Sequence, residues 1–448
     1  MRKAHLLLWI VVWMFAGSVF PVQSRTVEDG VFTLEQIIEQ AIEANIGLKQ
    51  SREDTRAAFD VKDIERSRLL PTFSAGYRYR RNDDEVTIPA FGQLSLRDEY
   101  TFSLSMTQPL FSGFSLINQY EISALGIDVS KMRETLLLQN IVLAARQACF
   151  NFLKSRQLEA VSRETVHQIS AHEQVAREFY DVGMIPLNDL LQARVELANA
   201  GQALTRASNA LEEAAAALNT LLRRPLNSVM QVSDIRSDRL QYPSFEHDID
   251  YCLDSAVTHR VEFKIADLQI QIAQKEVQVA KKDYYPSVNL QGIYRQVGDR
   301  PDTTGESGIT DSGSWEVSAA ATWNFWDWNR TRSRVREKSN RLAQVRLQKQ
   351  QFQDDIAFEV KRAYLKVRES EKNIKTAEQA IEQAKENFRI NQERYQQQIA
   401  TSTDVLDAQT LLSGTLTSYY NALYDVHISR AVLLRAMGQG GKKEGQAQ

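Results

Sequence analysis

The chain has 448 residues, with 54 lysines and arginines against 57 aspartates and glutamates, a formal net charge of -3 at pH 7. That balance lacks the basic excess of a nucleic-acid-binding protein. Apolar residues make up 43% and charged residues 25%, but Ala, Gln, Glu, Lys and Arg fill long stretches, which favours long helices over one globular core.

Residues 1–24 read as an export signal: Arg2 and Lys3, an apolar run from Leu6 to Phe20, then Val22-Gln23-Ser24 before the cleavage point. The run is too short for a comfortable membrane helix, and no later segment supplies about 20 uninterrupted apolar residues. A first structural repeat then covers 25–224. A strand is predicted at 72–80, where Phe73, Ala75, Tyr77 and Tyr79 alternate with Ser74, Gly76, Arg78 and Arg80. The hydrophilic stretch Arg81 to Glu99 leads to a second strand at 100–108, where Tyr100, Phe102, Leu104 and Met106 alternate with Thr101, Ser103, Ser105 and Thr107. A helix follows over 115–180, free of glycine and proline from Ile127 to Val182. At 1.5 Å per residue it spans about 100 Å, more than a compact domain needs. A short turn gives way to a helix at 187–223.

After a linker at 225–249, the same order returns over 250–438. Strands are predicted at 287–296 and 315–325, separated by the polar stretch Val297 to Ser314, and helices at 330–397 and 402–437. Residues 439–448 are expected as a disordered tail. The second half is the first displaced by 215 positions: Pro71 aligns with Pro286, Thr107 with Thr322, Tyr180 with Tyr395 and Asp189 with Asp404. The later long helix carries a heptad seam through Ile356, Val360, Ala363, Val367, Ser370 and Ile374. The cysteines, Cys149 and Cys252, fall in helical patterns at non-equivalent repeat positions. They are expected as two buried free thiols, with one disulfide as the alternative.

Each of the four strands has one greasy side and about the nine to eleven residues that cross a bilayer when tilted. Aromatic residues gather near strand ends at Tyr77, Tyr79, Tyr100, Trp323, Trp326 and Trp328, as an interfacial girdle requires. Amphipathic hairpins on a soluble domain would show the same alternation; the export signal favours the membrane. Bilayer strands must close, and small barrels need about eight of them. Four per chain therefore call for an oligomer, with the long helices continuing below one shared barrel.

At this point the chain resembles the TolC-like outer membrane efflux proteins of Gram-negative bacteria, over essentially its whole mature length. The matching pieces are Thr33-Leu34 with Ala41 to Leu48, Leu70-Pro71 and Tyr285-Pro286, and Gln108-Pro109-Leu110-Phe111-Ser112-Gly113. Two turn motifs complete them, Val182-Gly183-Met184 through Asp189-Leu190-Leu191-Gln192-Ala193 and Thr403-Asp404-Val405-Leu406-Asp407-Ala408. The resemblance implies an α+β membrane channel-tunnel. In such a homotrimer, four strands per chain complete a 12-stranded outer-membrane barrel that continues into a 12-helix periplasmic barrel. It also implies the exit duct of a tripartite efflux or type I secretion system, with a periplasmic adaptor and an inner-membrane pump as partners. Where the family has Asn-Pro and Arg-Pro, this chain has Asn45-Ile46 and Arg260-Val261. The competing reading is a soluble periplasmic coiled-coil adaptor, which would not need aromatic-ended strands.

The same resemblance makes the turns near Gly183 and Gln398 a periplasmic gate built from Asp404, Asp407, Tyr395, Asn188 and Asp189. Asp404 and Asp407 lie three apart on a helix, so three chains would set six carboxylates around the axis. Asp404 also suits a plain helix cap. The position of the family's gate-locking arginine is Ala400 here. Adaptor docking is assigned by resemblance to Gly183, Arg177, Arg194, Arg389 and Arg394, against the alternative of a solvated face. His167 and His172 share no helix face well and are expected to be neither ligands nor catalysts. With no metal, phosphate-loop or nucleophile motif present, no enzyme activity and no cofactor are expected.

Overall fold

A computed structural model describes residues 31–83, 87–88, 92–93, 96–233, 245–303 and 313–440. The export signal, part of the linker and nearly all of the expected tail lie outside these residues. The chain runs α1 (Leu34–Ala44), α2 (Ile46–Ser67), β1 (Thr72–Arg81), β2 (Thr87–Ile88), β3 (Gly92–Gln93), β4 (Asp98–Ser112), α3 (Ser115–Asp181) and α4 (Leu187–Leu221). It continues with α5 (Ile249–His259), α6 (Val261–Ala280), β5 (Ser287–Gly298), β6 (Gly313–Thr322), α7 (Arg330–Gln396) and α8 (Ser402–Ala436). The two repeats keep register to the residue, since α3 and α7 both open and close 215 positions apart, as do α4 and α8.

The backbone carries the same signature. Left-handed residues come in pairs at that displacement: Gly113 with Trp328, Phe114 with Asn329, Gly183 with Gln398, and Arg223 with Gly438. At each strand-to-helix junction two consecutive left-handed residues turn the chain, although an L side chain costs about 1–2 kcal/mol there. Gly113 and Gly438 are also sterically bound to be glycine, because a Cβ would lie 2.4 Å from the Lys282 carbonyl oxygen at the first and 2.6 Å from the His259 carbonyl carbon at the second. The second junction uses Trp328 and Asn329. β6 ends at Thr322, short of the expected Phe325, and beyond it Asp327 accepts hydrogen bonds from Thr331 N–H and the Thr331 hydroxyl in the first turn of α7.

The strands form one antiparallel sheet in the order β1-β4-β5-β6, so the two repeats join through β4 and β5. Cross-strand partners share a face. Phe73, Ala75, Tyr77, Phe102, Leu104, Met106, Leu290, Tyr294, Trp315, Val317 and Ala319 fall on one side by register. Ser74, Arg78, Arg80, Glu99, Ser103, Ser105, Gln291, Arg295, Glu316 and Ser318 fall on the other. The polar face is internally bonded, with Arg80 Nη2 donating to Glu99 at 2.5 Å and the Ser74 and Ser105 hydroxyls 2.7 Å apart. Aromatic pairs mark both ends of the apolar face: Tyr79 on Tyr100 at one, Phe111 on Phe114 and Trp326 on Trp328 at the other. From Tyr100 to Phe111 the strand covers about 36 Å, or roughly 27 Å along a barrel axis at the usual ~40° tilt, matching the height of a bilayer apolar band.

Below the sheet the helical wall runs α2-α3-α6-α7 in the order of the strands above it. Two buried cores hold the helices. One gathers Ile37, Leu48, Phe150, Leu153 and Leu218 of the first repeat with Ile374, Tyr424 and Val426 of the second, and the other Phe263, Ile356, Val360, Val367 and Leu433 of the second alone. Cys149 packs in the first and Cys252 in the second, both as free thiols, and burial pushes them up to about 12 and about 11. Where the family's proline is missing, Asn45 caps α2 through Leu48 N–H at 2.9 Å. Its repeat counterpart Arg260 instead lies buried in an ionic network. Arg260 and Arg435 each reach both Glu262 and Glu359, and Arg435 also donates to Asn140 at 3.1 Å. This network ties the start of α6 to α7, α8 and α3.

The helical-tip site

Two helix hairpins, α3–α4 and α7–α8, meet at one pole of the chain, where Gln398 Nε2 donates to Met184 Sδ at 2.7 Å. Both long helices end in the same hydrogen-bonded turn. Gly183 N–H reaches Tyr180 O and Met184 N–H reaches Phe179 O; Gln398 N–H reaches Tyr395 O and Ile399 N–H reaches Arg394 O. That pattern needs a left-handed residue just beyond the helix. Gly183 supplies it freely and Gln398 under strain, at φ +76° and +63°. A Cβ on Gly183 would meet open space. Gly183→Ala is therefore expected to cost about 1 kcal/mol through the backbone alone, seen as faster amide exchange confined to residues 178–186.

Asp404 does cap α8. Its Oδ2 accepts from Thr401 N–H and the Thr401 hydroxyl, both at 2.8 Å, while Asp404 N–H donates back to Thr401 Oγ1 at 3.2 Å. Those backbone and side-chain hydrogen bonds, with a smaller pull from Arg394, hold its carboxyl below the ordinary range. Asp404 and Asp407 both lie exposed on the isolated chain, so the capping bond leaves the second oxygen of Asp404 and all of Asp407 open.

Tyr395 is buried, 4% exposed, whereas its repeat counterpart Tyr180 is 37% exposed. The Tyr395 ring packs 4.8 Å from His172 and 5.6 Å from Phe179, both of α3. Its buried hydroxyl has no well-formed hydrogen bond, and Ser402 Oγ is engaged by His172 Nε2 at 2.8 Å. Burial first, then the Asp189 carboxylate, raises the Tyr395 phenol above its ordinary range, against a smaller opposing pull from Ser402. Asp189 thus acts on Tyr395 through its field and not through a bond, and Asn188 is exposed. The link between the hairpins is carried by His172–Ser402, Gln398–Met184 and a 3.3 Å bond from the Thr403 hydroxyl to Gln192 Oε1.

The four arginines divide. Arg177 and Arg194 converge on Glu173 Oε1, each at 3.0 Å. Burial pushes the Glu173 carboxyl up, but hydrogen bonds from Arg194 and then Arg177 outweigh it and hold it low. Arg194 thereby pins α4 to α3, whereas Arg177 bridges to Glu173 within α3 itself. Arg389 forks to Glu386 and Glu393 of its own helix, which raises its pKa. Arg394 is exposed and acts on Asp404 only through its field.

His172 is what sequence reasoning missed. Its ring is 8% exposed, and burial lowers its pKa to about 4. The signal was available: it sits three residues after Ile169 and four before Ala176, both buried, which places it on the inward stripe of α3.

A family model described as "Outer membrane efflux protein" matches residues 37–223 and 252–439, two copies that begin 215 positions apart. Outer membrane protein TolC of Escherichia coli (strain K12) is 22% identical over 426 residues, covering 90% of this chain and 82% of that protein. Outer membrane efflux protein BepC of Brucella suis is 22% identical over 439 residues, covering 95% and 89%. Among solved structures, the Campylobacter jejuni CmeC outer membrane channel superposes with a TM-score of 0.79 at 18% identity, covering 92% of this chain and 87% of that one. VceC of Vibrio cholerae gives 0.75 at 16%, covering 90% and 96%.

Proposed function

The chain belongs to the outer membrane efflux protein family, and from that premise we propose that three copies close into one duct gated at the helical tip. It is an outer-membrane protein that extends into the periplasm and serves as an exit channel for efflux. The observation that carries the trimer is the sheet itself. Four strands leave β1 and β6 unpaired at the two edges, and an open edge in hydrocarbon leaves each backbone group several kcal/mol short of satisfied. Three copies joined β6 to β1 supply 12 strands and remove every edge. A barrel of that size leaves a lumen, lined here by the polar face of the sheet.

The gate is the ring of tips. Asp404 and Asp407 face the axis from the start of α8, and Tyr395, Asn188 and Asp189 govern how the α7–α8 hairpin rests on α3–α4. The exposed Gly183 turn and the Arg177, Arg194, Arg389 and Arg394 side chains around it receive a periplasmic adaptor, which couples the duct to an inner-membrane pump. Planar-bilayer recording tests the ring. Asp407→Asn is expected to weaken block by multivalent cations from the periplasmic side at least tenfold while leaving trimer stability unchanged. Equal block in both proteins would move the constriction elsewhere.

The tyrosine admits a sharper expectation. Because the Tyr395 hydroxyl lacks a well-formed bond, Tyr395→Phe should leave conductance nearly unchanged. Tyr395→Ala removes the ring packed on His172 and Phe179 and should raise the open fraction, at a cost of about 3–5 kcal/mol of local packing. Single-channel recording of both variants distinguishes packing from hydrogen bonding as the latch.

A further inference from the structure

A second site lies at the other end of α3, just below the sheet. A cleft of about 210 Å³ opens there between α3 and α6, lined by Gly113, Phe114, Asn118, Glu121, Lys281 and Tyr285 among others. Its upper rim is aromatic: Phe111 and Phe114 meet edge to face at 5.1 Å, and Phe114 meets Tyr285 at 5.7 Å. Its lower wall is charged, with Lys275 bridging to Glu121 at 2.5 Å.

The side of the wall on which it opens follows from strand register. After the bulge between Pro109 and Phe111, Phe111 pairs with Val288, and Val288 pairs with Ala321. All three belong to the apolar, lipid-facing side of the sheet, and the cleft begins where Phe111 touches Phe114. It also lies within the chain's own wall, because α3 and α6 are flanked by α2 and α7 and a neighbouring subunit joins at the outer elements. The cleft therefore faces the inner-leaflet boundary of the outer membrane. Lys281 is half-buried in it and, among the described residues, has no ion-pair partner, whereas Lys275 and Glu121 neutralise one another.

We propose that this cleft is a phospholipid site. The headgroup phosphate sits on the Lys281 ammonium, and the upper parts of the acyl chains run across Phe114, Tyr285 and Phe111 toward the apolar face of the sheet. The chemistry suits the boundary, since aromatic rings are stable at the headgroup level and a basic side chain there meets a phosphate without leaving water. Gly113 keeps the site open by letting α3 approach Lys282, which sets the depth between the aromatic rim and Lys281. The site would fix the height of the barrel in the membrane.

The inference rests on the membrane placement of the sheet, so each protein is first checked for bilayer insertion and for trimer by gel mobility before heating. Delipidated trimer is titrated with palmitoyl-oleoyl phosphatidylethanolamine and read by native mass spectrometry. Wild type is expected to retain one tightly held lipid per subunit. Lys281→Glu should reduce that occupancy at least fivefold, Lys281→Arg should restore it, and millimolar inorganic phosphate should fail to displace the lipid. Lys281→Gln, which adds no repulsion, should give an intermediate loss and replaces the glutamate variant if that one fails to insert. Absence of retained lipid in wild type, equal occupancy in the Lys281 variants, or displacement by inorganic phosphate would each overturn the proposal. Loss of insertion in wild type would instead strike at the membrane placement.

Discussion

Replacement of Arg260 by alanine is expected to lower stability by about 3–5 kcal/mol, because it breaks a buried ion-pair network. Its side chain is 4% exposed and donates to Glu262 at 2.9 Å, to Glu359 at 2.9 Å and to the Ala436 carbonyl at 3.2 Å. Removing it leaves two carboxylates and a backbone oxygen facing Arg435 alone, in a site that water reaches poorly. The damage should be local first, with amide exchange rising at the start of α6 and the end of α8, because those are the segments the network joins. Thermal denaturation of the detergent-solubilised protein reads the magnitude. Glu359→Ala should cost less, since Arg260 and Arg435 would both keep Glu262. If Arg260→Ala proved as stable as wild type, the network would be an arrangement of surface charges rather than a bolt joining α6 to α7 and α8.

Acidification is expected to loosen the tip, and His172 sets the direction. Its folded pKa is about 4 against an ordinary 6.5, with burial as the cause. A histidine held neutral by the fold takes up a proton more readily once the fold opens. Its contribution is therefore intact above pH 6.5 and falls as pH drops through the window from 6.5 to 4, by about 3 kcal/mol in all. The groups around it offer no counter-charge at close range. Tyr395 of α7 presents a ring and Ser402 of α8 a hydroxyl; the nearby Glu173 is committed to Arg177 and Arg194. Protonation thus breaks the contact between α3 and the first turn of α8. The measurement is amide exchange of residues 395–407 between pH 7 and pH 4.5, with His172→Gln as the comparison. Wild type should lose protection steeply over that window, and the glutamine variant should respond much less. His427 is held low for the same reason, with Arg430 adding to it, but it stacks on Phe150 in the first core. Its effect should therefore appear in global unfolding and not at the tip.

The architecture was largely legible because its signals are periodic. A two-residue alternation of Phe73, Ala75, Tyr77 and Tyr79 can serve only a sheet with one apolar face, and a helix without glycine or proline from Ile127 to Val182 has nothing to stop it. The site was legible in outline only. Asp404 was visible both as a cap and as a gate residue, and the structure gives it the cap while leaving an oxygen free. Arg177 and Arg194 are exposed, as expected; the i,i+4 pair of Arg177 with Glu173 is legible from spacing, but nothing local marks Glu173, on α3, as the partner of Arg194 on α4. Tyr180 and Tyr395 are equivalent in sequence yet differ in burial, since each faces a different neighbouring helix.

By itself the sequence determined the repeat, the helix and strand periods, and hence the need for partners along the sheet edges. These follow from spacing along one chain, where chemistry and position are both written. Only the tertiary structure decided which of two equivalent tyrosines is buried, where His172 finds Ser402 across 230 residues, and that Arg260 holds two helices where its counterpart Asn45 merely caps one. Such outcomes depend on which surfaces meet. Two copies of one unit, placed side by side, present different faces to each other, and that difference in contact turns a duplicated sequence into an asymmetric tip.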